Sequence, residues 1–258
     1  PITFDPLTTS ILNSYPLPND FSVGDGLNFA GFNFNAPQLE KQWDLTLRFD
    51  YIHNANNRFY FRYAEGEQNT LGDSVNGGLQ PFPGFPNLVN TYRRPKNYAF
   101  NYRWSPTAKF TNEFIFGLSR FRFKFATPEP RADVPFTFNT VTNAYTNFAY
   151  NARAARTWQI VDNVTYDLSP HVIKFGINFR LGRQFDDRSS AGGQIEPLVG
   201  FGAGSSDFSA FGLPTAGSTS INSNDLANLR SLINNLIGRI GSYSQGFVVD
   251  PKNPANWA

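Results

Sequence analysis

The sequence predicts an all-β fold, an antiparallel up-and-down segment of a transmembrane β-barrel with about six strands. Three observations support it: apolar and polar residues alternate with a period of two, aromatic residues are over-used, and short turns alternate with long connections. In outer-membrane barrels the short turns face the periplasm and the long loops face the exterior.

The composition is rich in aromatic residues and weakly charged. The 258 residues include 27 Phe, 11 Tyr and 4 Trp, against 16% charged residues. No stretch reaches the ~18 consecutive apolar residues of a membrane helix. Barrel strands hide only every second residue, so their mean hydropathy stays low, and here it is -0.37. The absence of Cys leaves no disulfide or thiolate metal site, and a net charge of +2 without a basic stripe disfavours nucleic acid as a partner.

The first predicted hairpin begins near Trp43. Residues 42 to 51 alternate without a break between apolar and polar side chains, which indicates a half-buried strand. Residues 53 to 57 form a polar turn, and residues 58 to 63 alternate again as the returning strand.

The second predicted hairpin runs through residues 97 to 104, turns at 105 to 109 and returns from there. After Ser119 the apolar residues change parity. We attribute this change to a β-bulge, which would insert one extra residue into the strand.

The third predicted hairpin runs from about residue 157 to 166, turns at 167 to 170 and returns through 173 to 181. Asp162 has the same parity as its apolar neighbours in this hairpin. A carboxylate that faces lipid near the bilayer centre costs a few kcal/mol, so we expect Asp162 near an end of its strand.

The chain divides into three predicted regions. Residues 1–40 are expected to be irregular, residues 41–182 to hold the hairpins, and residues 183–258 to form a long extracellular loop. Leu and Ile at helical spacing predict one short helix near 224–237, capped by Ser223 or Asn224 and packed on neighbouring loops or on a partner.

Long connections are predicted at residues 66 to 95, at 126 to 156 and after 182. Each is rich in Gly, Pro, Ser or Asn, and they alternate with the short turns of the hairpins. This rhythm is typical of a membrane barrel and disfavours a soluble carbohydrate-binding sandwich.

Few groups of residues in the sequence have the composition and spacing of a reactive site, and we expect no enzyme activity, metal site or cofactor. His53 and His171 fall at predicted turns. Residues 200 to 204 are rich in glycine, but no helix follows them, so we interpret them as a flexible loop and not as a phosphate cradle. The adjacent carboxylates Asp186 and Asp187 fit a solvated charge cluster.

Two sets of side chains are candidates for contact with a solute. The first set comprises cations on the polar face of the strands, which we expect to face the barrel lumen: Arg48, Arg62, Arg103, Lys174 and Arg180. The second set comprises residues of the first long connection that could touch a ligand: Phe82, Phe85, Tyr92, Arg93 and Arg94. Simpler roles remain open, because polar residues face water inside a barrel and loop aromatics pack on one another.

Several stretches, in this order and spacing, resemble the barrel of TonB-dependent outer-membrane receptors, particularly the Oar-like proteins abundant in acidobacteria. They are residues 5 to 19, similar to the link between plug and barrel, residues 48 to 63, similar to the first barrel hairpin, and residues 81 to 85, 112 to 121 and 162 to 180. The resemblance covers most of the chain. It implies uptake of a large solute across the bacterial outer membrane.

The resemblance also implies a barrel of about 22 strands with an N-terminal plug and a segment that contacts TonB. We recognise six candidate strands and no plug, TonB-contacting segment or C-terminal strand in the sequence. We therefore treat the chain as the N-terminal part of such a barrel without its plug, and expect TonB to act only through segments outside it.

Six strands leave two unpaired edges, and lipid offers no water to satisfy their N–H and C=O groups. We expect these edges to pair with the remainder of the same barrel or with further copies of the chain, and the apolar face to contact outer-membrane lipid. The alternative is a structural, self-assembling extracellular protein, a filament or tube subunit that polymerises through its open strand edges.

Overall fold

The structure is a computed structural model that describes residues 3–25, 28–128, 136–146, 148–188, 197–202, 222–245, 249–250 and 253–257. The helices are α1 (Pro6–Asn13) and α2 (Ser223–Leu236). The strands are β1 (Leu39–Asn54), β2 (Asn57–Leu71), β3 (Asn90–Thr107), β4 (Phe110–Ala126), β5 (Phe136–Phe138), β6 (Tyr150–Leu168), β7 (His171–Arg188), β8 (Leu198–Phe201), β9 (Ile240–Ser244), β10 (Val249–Asp250) and β11 (Asn253–Trp257).

The main sheet has six antiparallel strands in the order β1-β2-β3-β4-β6-β7, which confirms the predicted all-β class. The strands β5, β8 and β9 form a second sheet, and β10 pairs with β11. No helix within the described ranges is long and apolar enough to cross a membrane.

The three hairpins of the main sheet all turn at one end, which we call the turn end. The turns join the strands at Asn54–Asn57, Thr107–Phe110 and Leu168–His171. The connections between β2 and β3 and between β4 and β6 are longer and lie at the opposite end, which we call the loop end.

The strands extend further towards the loop end than predicted. The first long connection covers residues 72–89 instead of 66–95, and β7 continues past residue 182 to Arg188. Pro95 made this part of β3 resemble a loop, because proline cannot donate to a ladder. The β2–β3 ladder is interrupted opposite Pro95, whereas β3 stays paired with β4 throughout this stretch.

The strand β4 contains no bulge where one was predicted, after Ser119. Its register with β3 and β6 is unbroken over residues 112 to 126. Phe121, Phe123 and Phe125 therefore lie on the opposite face of the sheet from the earlier aromatic residues of β4. On the face that Phe114 and Phe116 occupy, β4 continues with Arg120, Arg122 and Lys124.

A second packed unit is built from the segments at the loop end. The buried core residues of the β5-β8-β9 sheet are Phe138, Val199 and Phe201. Ile11 and Leu12 of α1 pack against this core. The backbone N–H of Asp5 donates to the carbonyl oxygen of Leu236 at 2.9 Å, which ties α1 to the C-terminus of α2.

The described part of residues 3–38 also belongs to the loop end. This segment was expected to be irregular, but it contains α1, which has Asp5 as its N-cap and Pro6 in its first turn. The strand β1 enters the sheet at Leu39, opposite Leu71, and therefore from the loop end. The segment that resembles a plug-to-barrel link thus packs among the long connections, on the side away from the turns.

Helix α2 lies close to the predicted range of 224–237. Its N-cap is Asn222, one residue before the two predicted caps, and the Asn222 side chain accepts a hydrogen bond from the N–H of Asp225 at 2.9 Å. Gly238 follows the helix with a φ of 70°, as the αL position of a helix terminus favours.

The most buried residues of α2 include two amides that the apolar pattern did not mark. Asn234 and Asn235 are at most 1% exposed, and Leu226 is 3% exposed. Asn234 Nδ2 donates to the carbonyl oxygen of Gly202 at 3.5 Å, and Asn235 Nδ2 donates to Thr140 Oγ1. These hydrogen bonds fix the helix on the neighbouring connections.

Asp73 organises the connection between β2 and β3. It is 4% exposed and caps the 3-10 turn Ser74–Asn76, with its carboxylate accepting from the N–H of Val75 at 3.1 Å and from Asn76 Nδ2 at 2.7 Å. The hydroxyl of Thr91 also donates to it. Burial alone would raise the pKa of Asp73, but these hydrogen bonds outweigh burial and hold the pKa below its usual value.

Candidate functional site

One face of the main sheet carries a continuous apolar belt. The register aligns one residue from each of the six strands in a row across the sheet: Phe49, Phe61, Phe100, Phe116, Ile160 and Phe179. Phe175 exposes 64% of its surface and Ile177 exposes 66%. So continuous an apolar surface is stable against lipid and unstable against water. We call this face the outer face and the opposite one the inner face.

Two girdles of aromatic residues with polar groups flank the belt, one on each side. Tyr63, Tyr98 and Trp158 lie in one row towards the loop end, and Trp104 and Tyr166 lie towards the turn end. The girdle residues of β6 are eight residues apart (166 − 158), or about 26 Å at ~3.3 Å per residue. A strand tilt of ~40° reduces this to about 20 Å, close to the ~25 Å apolar band of outer-membrane barrels.

Asp162 lies midway between the two girdle residues of β6, so the prediction that it sits near a strand end is wrong. Its cross-strand neighbours on the outer face are Phe114 and Ile177. The Asp162 carboxylate accepts a hydrogen bond from Asn112 Nδ2, on the same face. This bond offsets part of the cost of placing a carboxylate in an apolar belt.

The five cations that were expected to face the lumen share the inner face. Arg48, Arg62 and Arg180 fall in one row across the sheet, and Arg103 and Lys174 lie nearer the turn end. The side chains between them on the same face are mostly polar or small, which suits a wall in contact with water.

The inner face is held by polar contacts between neighbouring side chains. The guanidinium of Arg48 pairs with Asp50 at 2.7 Å and lies over the ring of Tyr60, 4.3 Å from its centroid. Asn101 Nδ2 donates to Glu113 Oε1 at 2.9 Å, from β3 to β4. These contacts hold charged groups on the wall without an apolar cover.

Phe82 and Phe85 belong to a half-buried aromatic cluster at the loop end. The Tyr15 ring lies 5.3 Å from Phe82 and 5.9 Å from Phe85, measured between centroids. Phe32 packs on Phe82 at 5.9 Å, and Tyr145 packs on Phe85 at 5.5 Å. Burial raises the pKa of Tyr15. The cluster joins the N-terminal segment to both long connections of the main sheet.

Tyr92, Arg93 and Arg94 lie in β3, so their assignment to a loop is wrong. Arg94 points to the outer face and pairs with Glu67 at 3.1 Å. Arg93 points to the inner face, with its Nη1 3.5 Å from Gln68 Oε1. These residues do not join the aromatic cluster, because the strand carries them onto the wall.

The adjacent carboxylates Asp186 and Asp187 point to opposite faces of β7. Asp186 pairs with Arg153 at 3.2 Å on the inner face, and Asp187 accepts a hydrogen bond from Tyr150 at 3.2 Å on the outer face. Two carboxylates on opposite faces of a strand cannot act on one substrate.

The other residues considered for chemistry lie apart from one another. His53 lies near the end of β1 and His171 begins β7, both beside turns. Residues 200 and 201 belong to β8, and residues 203 and 204 lie outside the described part of the chain. Within that part, no group of His, Asp and Glu could hold a metal ion.

Sequence reasoning missed one group of cations on the outer face, between the loop-side girdle and the loop end. Its members are Arg120, Arg122, Arg156 and Arg183. The change of parity in β4 was the available signal, but a β-bulge accounted for it equally well at the level of sequence.

An apolar belt of membrane height on one face, a polar opposite face and tight turns at one end define the wall of a membrane-spanning β-barrel. A family model described as "Outer membrane beta barrel domain" matches residues 1–258, and the chain belongs to this family. Membership indicates a location in the bacterial outer membrane. Comparisons with curated proteins and with solved structures give no match.

Proposed function

We propose that the chain forms part of the wall of an outer-membrane transporter of the TonB-dependent, Oar-like type, which takes up a large solute. The observation that carries this proposal is the pairing of a lipid-type belt on the outer face with a row of arginines on the inner face. Coupling to TonB belongs to segments outside this sequence.

Two arginines of the inner-face row carry positive charge that no ion pair within the described part of the wall neutralises. Arg62 and Arg180 form no ion pair among the described residues, whereas Arg48 is paired with Asp50. Guanidinium groups on a water-filled wall favour carboxylate or phosphate groups, so they can hold an anionic solute or an acidic surface of a plug.

The open edges of the sheet fit a barrel larger than this segment. In the described chain, β1 pairs only with β2, and β7 pairs only with β6. Lipid cannot hydrogen-bond to the N–H and C=O groups of an unpaired strand edge, so further strands must continue the sheet on both sides. The diameter grows with strand number, which provides a lumen wide enough for a large solute.

The same edges favour the second candidate function, a structural protein that assembles through strand pairing. β1 and β7 present edges of 16 and 18 residues. Edges of this length are templates for pairing with another chain. The apolar belt favours the transporter, because a filament in water would have to cover this surface as well.

Uptake by whole cells tests the proposal. Cells that produce the protein and cells that lack it receive a defined mixture of peptides and oligosaccharides too large for porins, with and without a protonophore. We expect depletion of at least one solute only when the protein is present and the membrane is energised. Arg62→Gln should slow this depletion, and Lys124→Gln, which removes an outer-face cation, should not.

No depletion under any condition, together with recovery of the protein as a polymer without detergent, would overturn the transporter and support the structural protein.

A further inference from the structure

The outer face carries an arginine cleft that has no role in the proposed transport. It lies directly beyond the loop-side girdle, has a volume of about 340 Å³, and is lined by Arg120, Arg122, Arg156 and Arg183 together with Trp158 and Phe185. The register places Arg120, Arg156 and Arg183 in one row across β4, β6 and β7. They therefore lie at one height, just above the belt.

The arginines of the cleft carry positive charge that no carboxylate in its lining neutralises. None of its four arginines forms an ion pair in the described part of the chain, and no carboxylate lines the cleft. In the same two rows on β3, Lys96 pairs with Glu65 at 2.5 Å and Arg94 pairs with Glu67 at 3.1 Å. The wall thus neutralises its cations towards β2 and leaves them unpaired towards β7. Like charges this close repel one another unless an anion lies between them.

The surroundings of the cleft match an amphipathic ligand. Its floor holds the small residue Ala154, and the guanidinium of Arg156 lies 5.3 Å from the Trp158 ring centroid. Directly below, Leu118, Trp158 and Leu181 lie in the row of the loop-side girdle, at the edge of the apolar belt. A ligand seated here would hold its anionic group among the arginines and its hydrocarbon against the belt.

We propose that this cleft binds the phosphorylated headgroup of a lipid in the outer leaflet. Guanidinium groups bind phosphate through pairs of parallel hydrogen bonds, and several of them around one site suit a headgroup with more than one phosphate. The inner-face arginines could not hold such a lipid, because they face the lumen. The proposal needs the belt to face lipid and the loop end to face the exterior, and it does not need the wall to transport a solute.

Binding of lipid A, a glycolipid with two phosphates, to the purified protein in detergent tests the inference by native mass spectrometry. The chief variant is Arg120→Gln/Arg183→Gln, and the matched control is Arg58→Gln/Lys109→Gln, which removes the same charge near the turn end. We expect at least about tenfold weaker binding for the chief variant, since one hydrogen bond to a charged group contributes about that factor. The control should bind as the unaltered protein does.

Two further probes separate the sources of phosphate. Dephosphorylated lipid A should bind far more weakly, and inorganic phosphate should not displace the lipid. Equal binding of the dephosphorylated lipid would show that the belt alone is recognised and would overturn the inference, as would binding of free phosphate as tightly as lipid A. The exchange Arg120→Lys/Arg183→Lys, which keeps the charge and the fold, should give intermediate binding.

Discussion

Asp162 offers a direct test of which face of the wall meets lipid. It lies at mid-height of the belt and accepts a hydrogen bond from Asn112 on the same face. The inner face carries a matched pair, Asn101 donating to Glu113 across β3 and β4 at 2.9 Å. We expect replacement of each pair by two leucines to change stability in opposite directions.

The magnitude for the outer pair follows from three contributions. Removing a carboxylate from the middle of an apolar belt gains about 2 kcal/mol, somewhat less than the full range for a charged residue at the midplane. Removing the amide gains about 1 kcal/mol more, and losing the hydrogen bond between them costs about 1 kcal/mol. Asn112→Leu/Asp162→Leu should therefore raise the free energy of unfolding by about 2 kcal/mol.

The inner pair has no such gain, because it lies on the polar face, where Asn101 is 5% exposed and already hydrogen-bonded to Glu113. Asn101→Leu/Glu113→Leu loses one hydrogen bond and should lower the free energy of unfolding by about 1 kcal/mol. The measurement is equilibrium urea unfolding of the protein in phospholipid vesicles, followed by tryptophan fluorescence. If both double variants lose stability equally, the belt does not face lipid, and the assignment of the two faces fails.

Further predictions concern the loop end and the orientation of the chain. Because the folded pKa of Asp73 lies below its unfolded value of ~3.9, its stabilising contribution is complete above that pH and is lost as pH falls through the folded pKa. Limited proteolysis of the connection over residues 72–89 should thus accelerate below about pH 4, and Asp73→Asn should be cut quickly at every pH. Gly202 has a φ of 87°, and an added Cβ would lie 2.1 Å from Asn235 Oδ1. Gly202→Ala should destabilise the unit around α2 by at least about 1 kcal/mol, seen as faster amide hydrogen exchange in that helix, and unchanged exchange would contradict the contact. The chain has no Cys, so Val75→Cys at the loop end should react with an impermeant maleimide on intact cells, whereas Asn56→Cys at a turn should react only after the outer membrane is opened. The reverse pattern of labelling would show that the turn end, and not the loop end, faces the exterior.

The strands near the turn end were predictable because each residue there has one of two environments. The side chains of residues 42 to 51 face lipid and water in turn, so the sequence alternates between apolar and polar residues with a period of two. The same alternation was enough to place Arg48, Arg62 and Arg180 together on one face. Local sequence decides the face, and no distant contact is needed.

The loop end could not be predicted in the same way, because its order depends on contacts between distant residues. The N–H of Asp5 bonds to Leu236, and Asn235 bonds to Thr140, without any periodic pattern. The parity change in β4 was read as a bulge because both sides of it are apolar and alternating. Only the register shows that Phe121 keeps its place in the ladder, so that the apolar row moves to the opposite face without an inserted residue.

The length of β6 has a consequence for anything that passes through the completed barrel. The strand continues eight residues beyond its loop-side girdle (158 − 150), about 26 Å along the strand at ~3.3 Å per residue. As much of the wall therefore stands clear of the bilayer as is immersed in it. On its interior this projecting part carries Phe121, Phe123 and Phe125. In the proposed transporter, a solute arriving from outside would first enter a tall vestibule whose wall combines these aromatic rings with Arg93 and Arg153, and would reach the row of Arg48, Arg62 and Arg180 only further down.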